Sequence, residues 1–322
     1  GISQPWGRSV NYGTATRRWA GLGPYYAMFP TAFADRVVRH HTEPGDSVLD
    51  PFAGRGTSLF SAATQNRVAI GIELNPVGFV YAKTKLTPGE QGAVTSRVLQ
   101  IGRAAAANRY AESARTLPPF FHHCFAPTVR RFLVAARDQL DWRRSTVDRT
   151  TMAILLVYLH GKEGAALSNQ MRQTKSMSPD YAIRWWGEHG TSPPRIDPVE
   201  FLTSRLEWRY ARGIPRCESS TVYMGDSLIV LPRLAKQIGR GERCRVRLLF
   251  TSPPYFGITN YHYDQWLRLW LLGGPPHAKR NGDGLRGKFE HRARYRTLLE
   301  QVFGRTKPIL HKDATVYVRT DA

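Results

Sequence analysis

Between Ser47 and Pro76 the chain alternates in a way that few folds allow. Ser47-Val48-Leu49-Asp50 is a short apolar run ending on an acid, and Pro51-Phe52-Ala53-Gly54-Arg55-Gly56-Thr57 is a glycine-rich turn. Ser58-Leu59-Phe60-Ser61-Ala62-Ala63 opens a helix, and Arg67-Val68-Ala69-Ile70-Gly71-Ile72-Glu73-Leu74-Asn75-Pro76 is a second strand ending on an acid. Strand, glycine loop, helix, strand is a βαβ unit, which implies parallel pairing and a right-handed crossover. The expected fold is α/β: a doubly wound, mostly parallel, Rossmann-like sheet.

The alternation resumes far downstream. A strand over 220–226 ends on Asp226 and leads into a helix over 227–238. A strand over 245–250, an aromatic-rich helix over 263–272, a basic glycine-rich loop over 281–287, a helix over 289–310 and a strand over 315–319 follow. Residues 89–219 show no strand–loop–helix alternation and carry helical stretches over 104–107, 132–140 and 151–159. This divides the chain into residues 1–88, a mainly helical insertion over 89–219 that is a candidate target-recognition region, and residues 220–322. Residues 1–23 read as an irregular arm, followed by a helix over 32–41.

At 322 residues and 42% hydrophobic content the chain can bury a substantial core. Its 46 Lys and Arg against 25 Asp and Glu leave a formal charge of +21, which favours a polyanionic partner, nucleic acid above all. Cys124, Cys217 and Cys244 are scattered without a CxxC spacing, which argues against a disulfide framework or a zinc site and for a reducing, cytoplasmic compartment. His40-His41 and His122-His123 have no ligand partners at useful spacing, so no metal is expected. No stretch approaches the roughly 18 apolar residues of a membrane span, and no signal peptide is visible.

The strand over 245–250 stops at Thr251-Ser252-Pro253-Pro254-Tyr255. Two prolines fix φ and remove N–H donors, leaving a stiff loop with one hydroxyl, carbonyls without competing donors and one aromatic ring. By itself such a loop is as readily a simple strand stop. The glycine loop is more telling. Gly54 and Gly56 let a ligand approach bare main chain at the carboxyl end of a strand. There is no Gly-Lys-Ser/Thr sequence for a phosphate, and Asp50 suits a ligand with an ammonium group and hydroxyls better. Glu73 could accept a ribose hydroxyl pair or be a surface carboxylate; Asp226 could accept from an exocyclic amine or cap the helix that follows.

Taken together, the 50–57 loop and the 251–255 loop resemble the amino-methylating DNA methyltransferases, which have the class I methyltransferase fold and use S-adenosyl-L-methionine. The resemblance covers roughly residues 25–88 and 220–320. It implies that Met28, Phe29 and Pro30 fold over the methionine end of the cofactor, and that Phe52, Gly54 and Gly56 line it, with Asp50, Pro51, Ala53 and Thr57 completing the loop. It implies that Glu73 meets the ribose, beside Leu74 and Asn75, that Asp226 meets the adenine amine, beside Ser227, and that Thr251 closes the pocket. Serine in second place of the Thr251–Tyr255 motif is typical of the cytosine-N4 enzymes. The catalytic residues are then Ser252, Pro253, Pro254 and Tyr255, and the substrate is DNA.

The chemistry agrees with that assignment. An exocyclic amine is a poor nucleophile because its lone pair is delocalised into the ring. Acceptors such as Ser252 Oγ and the Pro253 carbonyl can draw on its N–H bonds, and Tyr255 can stack on a base turned out of the duplex. No Pro-Cys dipeptide is present, which argues against methylation of a ring carbon. Asn260 and Tyr261 are candidates for the base pocket, and Lys279, Arg280, Arg286, Lys288 and Arg292 for phosphate contacts. Trp185-Trp186 reads either as a base-stacking pair or as core. Adenine-N6 methylation, an RNA amino group, and a non-catalytic nucleic-acid-binding subunit with a vestigial pocket are the alternatives. The family resemblance also implies a restriction or defence system in the bacterial cytoplasm, at the nucleoid. The family sheet usually ends in an antiparallel hairpin that residues up to 322 do not supply, so a second chain completing the sheet is an expected partner.

Overall fold

The computed structural model describes residues 12–24, 29–256, 261–278 and 292–320, with Tyr261 and His262 described by backbone alone. Five strands form one sheet: β1 Ser47–Asp50, β2 Val68–Glu73, β3 Thr221–Met224, β4 Val246–Thr251 and β5 Leu310–Val318. Their order is β3-β2-β1-β4-β5 and every pair is parallel. The order reverses between β1 and β4, where Leu49 lies opposite Leu249, so a crevice opens at the carboxyl ends of these two strands.

Strand alternation sorts the side chains into two layers. Val48, Ala69, Leu248 and Phe250 face one apolar core, while Leu49, Ile70, Ile72 and Leu249 face the other. The second layer is closed by the helices Ser227–Gly239 and Arg292–Thr306, through Val230, Leu231, Leu234 and Val302. The first is closed by Thr31–His41, Thr57–Ala63 and Pro76–Leu86. The insertion between β2 and β3 is helical from Gln91 to Tyr210 apart from its connections, and its Phe120, Phe121, Met152 and Leu155 join the same core as Phe250 and Tyr81. Among the described residues no helix is long and apolar enough to cross a membrane.

Local chemistry sets several boundaries differently from the sequence reading. The helix Pro76–Leu86, which that reading left unassigned, begins where Asn75 Oδ1 accepts from Val77 N–H (2.9 Å) with Pro76 in the first turn. Of the stretch at 104–107 only Ala104 is helical, as the last residue of the helix Gln91–Ala104 capped by the Glu90 carboxylate, and 105–107 form the turn that follows it. The aromatic helix is two short ones, Tyr261–Asp264 and Trp266–Leu271. The last helix stops at Thr306; a single 3₁₀ turn, Lys307–Ile309, contains Pro308, and β5 starts at Leu310 instead of Thr315.

Candidate active site

The glycine loop is built by two carboxylates that point into the protein. Asp50 is 1% exposed. Its Oδ1 accepts from the Phe52 N–H (3.0 Å) and the Thr251 hydroxyl (2.6 Å), and its Oδ2 from Ser58 Oγ. One side chain therefore joins β1, the loop, the following helix and β4. Burial pushes its pKa up to about 6 against the pull of these donors. Glu73, 8% exposed, accepts from Gly54 N–H at Oε2 (2.6 Å) and from Asn75 N–H at Oε1 (2.7 Å). Burial raises it to about 7, with the nearby Asp50 charge adding to the rise and the backbone donors opposing it.

Glycine is needed twice in this loop. Gly56 has φ +75°, and a Cβ there would lie 2.7 Å from Ala82 Cβ. Gly54, at φ 53°, presents its N–H to Glu73. A third glycine, Gly78, escaped the sequence reading: its Cβ would sit 2.8 Å from the Gly54 carbonyl and 3.0 Å from Glu73 Cγ. Its signal was a lone glycine inside a helix, which marks a close approach.

Around this loop stand the other expected cofactor residues. Pro51, Ala53 and Thr57 are buried in it, and Phe52 is partly exposed. Ser227 donates its hydroxyl to the Pro51 carbonyl, tying the start of the helix Ser227–Gly239 to the loop. Asp226 caps that helix, accepting from Leu228 N–H (2.8 Å), and remains part exposed. Asn75 is 5% exposed and its Nδ2 finds no acceptor among the described residues. Leu74 and Met224, at the carboxyl ends of the paired strands β2 and β3, are 39% and 40% exposed, and Ile229 is 51% exposed just beyond. Apolar side chains in the open, a part-exposed carboxylate and a buried amide donor can together take a flat apolar ring that carries hydrogen-bonding groups. Met224 and Ile229 were not singled out from the sequence, because nothing local distinguishes them from core residues.

The second loop lies across the crevice. Thr251 is fully buried, with its hydroxyl on Asp50 and its carbonyl accepting from Arg319 N–H (2.9 Å). Ser252 Oγ lies 3.3 Å from both Tyr255 Oη and the Arg319 carbonyl. Pro253 is buried, and Pro254 and Tyr255 are part exposed. The Phe29 ring packs 4.7 Å from Phe250 of this strand, and the Arg319 guanidinium lies over the Phe29 ring at 5.6 Å. Pro30 caps the helix Thr31–His41. Arg319 and Tyr295, whose ring is 5.8 Å from Phe256, are neighbours of the loop that the sequence did not reveal. Met28, Asn260, Lys279, Arg280, Arg286 and Lys288 lie outside the described residues, as does the side chain of Tyr261; Arg292 is exposed at the start of its helix. Trp185 and Trp186 divide: Trp186 is core, its Nε1 donating to the Gln170 carbonyl, and Trp185 stacks on His189 at 4.0 Å.

The family described as DNA methylase matches residues 2–83. Type II methyltransferase M.XycI of Xanthomonas campestris pv. cyanopsidis is 41% identical over 64 residues, 20% of this chain and 21% of its own length. Type II methyltransferase M.Cfr9I of Citrobacter freundii is 44% identical over 54 residues, 17% and 18% of the two chains. Type II methyltransferase M.MjaII of Methanocaldococcus jannaschii is 31% identical over 71 residues, 22% and 13%. The matched part of the chain thus spans about a fifth or less of these relatives' length.

Proposed function

We propose that this protein is an S-adenosyl-L-methionine-dependent DNA methyltransferase that methylates the exocyclic N4 of cytosine in a flipped-out base. The observation that carries the reading is the Thr251–Asp50 hydrogen bond (2.6 Å), which joins the glycine loop and the Ser252–Tyr255 acceptor loop at the switch point of a parallel sheet. The matched relatives, which are named as Type II methyltransferases, and the charge of +21 support the same reading.

The residues present fit the cofactor. Asn75 Nδ2 offers a buried donor without a partner among the described residues, Asp226 an acceptor, and Leu74, Met224 and Ile229 an apolar surface for a purine ring. The glycine loop offers bare main chain for the methionine end. When bound, S-adenosylmethionine supplies an electrophilic methyl group. Glu73 holds the loop through Gly54 and Asn75, so its contribution to the ribose acts through oxygens already committed to backbone donors.

On the base side, Ser252 Oγ and the Pro253 carbonyl accept from the amine N–H groups and localise its lone pair on nitrogen. Pro253 and Pro254 hold these acceptors fixed, so little reorganisation is needed during reaction. Tyr255 stacks on the extruded base, and Arg319, held on Thr251 by its backbone, supports the loop from β5. A reacting amine held about 3–3.5 Å from the methyl carbon gains most of its rate from placement.

Calorimetric titration with S-adenosylmethionine tests the pocket, and absence of binding would remove the enzyme reading. Ser252→Ala should bind the cofactor as the parent does while methyl transfer to DNA falls by about 10²–10³-fold. Unaltered turnover would take Ser252 out of the mechanism.

A further inference from the structure

The insertion contains a segment held in an unusual way. Residues 170–177 are neither helix nor regular strand, yet five of their carbonyls accept from, or meet, side-chain nitrogens that reach in from elsewhere. Trp186 Nε1 donates to Gln170 O (2.7 Å), Arg268 Nη2 to Gln173 O (2.6 Å), Gln265 Nε2 to Thr174 O (3.1 Å) and Trp266 Nε1 to Met177 O (2.9 Å). His160 Nδ1 meets Arg172 O at 2.9 Å, and the Ser176 N–H donates to the Asp264 carbonyl (2.8 Å). Arg268 and His160 are fully buried. Arg268 Nε and Nη1 are satisfied by Leu156 O and Gln265 Oε1, both at 2.8 Å. A surface loop ordinarily leaves its carbonyls to water. Here a buried guanidinium, an imidazole, an amide and two indoles fix the main chain of an eight-residue strap.

What this fixes in place is a set of outward side chains. Arg172 and Thr174 are exposed, Lys175 pairs with Asp264 (3.2 Å), and the Gln173 amide turns back to Val157 O (3.3 Å). Residues 164–179 contain no acidic side chain. The anchors Asp264, Trp266 and Arg268 belong to the two helices that follow the acceptor loop, and Gln265 joins those helices. Tyr261 begins the first of these six positions after Tyr255, so the two lie at most about 20 Å apart even for an extended chain. Ser176 is joined to Asp264, one helical turn after Tyr261, so this end of the strap lies within roughly 30 Å of Tyr255, the span of about nine base pairs of duplex.

We infer that the strap 170–177 is the specificity-determining element of this enzyme, with Arg172 and Thr174 reading base pairs that flank the target. The inference rests on the reading of the protein as a DNA methyltransferase. Arginine is the side chain best suited to bidentate recognition of guanine, and threonine can hydrogen-bond base edges or meet a thymine methyl. A main chain locked by buried donors keeps these two groups in register with the acceptor loop, which base reading requires and simple phosphate attraction does not.

The test compares the parent with Arg172→Ala/Thr174→Ala and with Arg172→Lys. Each is titrated with S-adenosylmethionine, measured for DNA binding by fluorescence anisotropy, and used to methylate genomic DNA whose modified sites are then sequenced. The double variant should bind the cofactor within twofold of the parent and lose about five- to a hundredfold in discrimination among flanking bases. Arg172→Lys should retain DNA affinity and lose discrimination, because lysine keeps the charge and not the planar fork. If both variants methylate the same sites with the parent's flanking profile, the strap is not the reader and the inference falls alone. If the parent transfers no methyl group to any DNA, the methyltransferase reading falls and the inference with it.

Discussion

Replacing Glu73 by glutamine should change the pH dependence of stability in a way that no purely steric account predicts. Both carboxylate oxygens face backbone donors, Gly54 N–H at 2.6 Å and Asn75 N–H at 2.7 Å, at 8% exposure. Glutamine keeps one acceptor and turns an amide N–H toward the other donor. One buried backbone N–H then loses its partner, which costs about 1–3 kcal/mol against either form of the native group, because the hydroxyl oxygen of the protonated acid still accepts. Opposing this, the native carboxyl group is raised by burial from 4.5 to about 7. A raised acid holds its proton more tightly folded than unfolded. Its stabilising contribution is therefore complete below about pH 4.5 and is lost as pH rises through about 7, by roughly 3 kcal/mol in all. Glutamine does not titrate and keeps a flat profile at this position. Asp50, raised to about 6 by burial, titrates in both proteins and cancels in the comparison to first order. Urea denaturation at pH 5 and pH 8, without cofactor, separates the terms. The parent should be the more stable by about 1–3 kcal/mol at pH 5, and the gap should close by about 2 kcal/mol or reverse at pH 8. An equal difference at both pH values would refute the claim that burial raises the titration of Glu73 in the folded protein.

Gly56→Ala places a side chain at φ +75° and 2.7 Å from Ala82 Cβ. It should cost about 1–3 kcal/mol for the backbone and a similar amount for overpacking, read as a fall in melting temperature together with weakened cofactor binding. Arg268→Met removes a buried charge and with it the donors to Leu156 O and Gln173 O, so the strap should loosen. Limited trypsin digestion should cut after Arg172 and Lys175 several-fold faster than in the parent, and an unchanged rate would mean that Arg268 does not hold the strap.

The βαβ unit was legible because its signals are local: short apolar runs, each ended by an acid, with two glycines between. The same holds for the acceptor loop, where consecutive prolines end β4 at Thr251. The start of β5 was not legible. Leu310-His311-Lys312-Asp313-Ala314 is polar because β5 has a strand neighbour on one side only among the described residues, and its outer positions face solvent. The site was legible in its membership and not in its wiring. Asp50 and Glu73 stand where sequence put them, at strand ends, but their oxygens hold Thr251, Ser58, Gly54 and Asn75. Such long-range contacts leave no periodic trace. Arg319 became visible only through the pairing of Thr251 with Val318. The strap 170–177 has no pattern of its own, since its partners lie on helices some 90 residues downstream and on Trp186 and His160 nearer by.

Nucleoside mass spectrometry of DNA incubated with the protein and methyl-labelled S-adenosylmethionine tests the central claim most directly. Labelled N4-methylcytosine, lost when Ser252 is replaced by alanine, is the predicted result. Labelled N6-methyladenine would contradict the assignment of the base, and no labelled nucleoside at all would contradict the proposed activity.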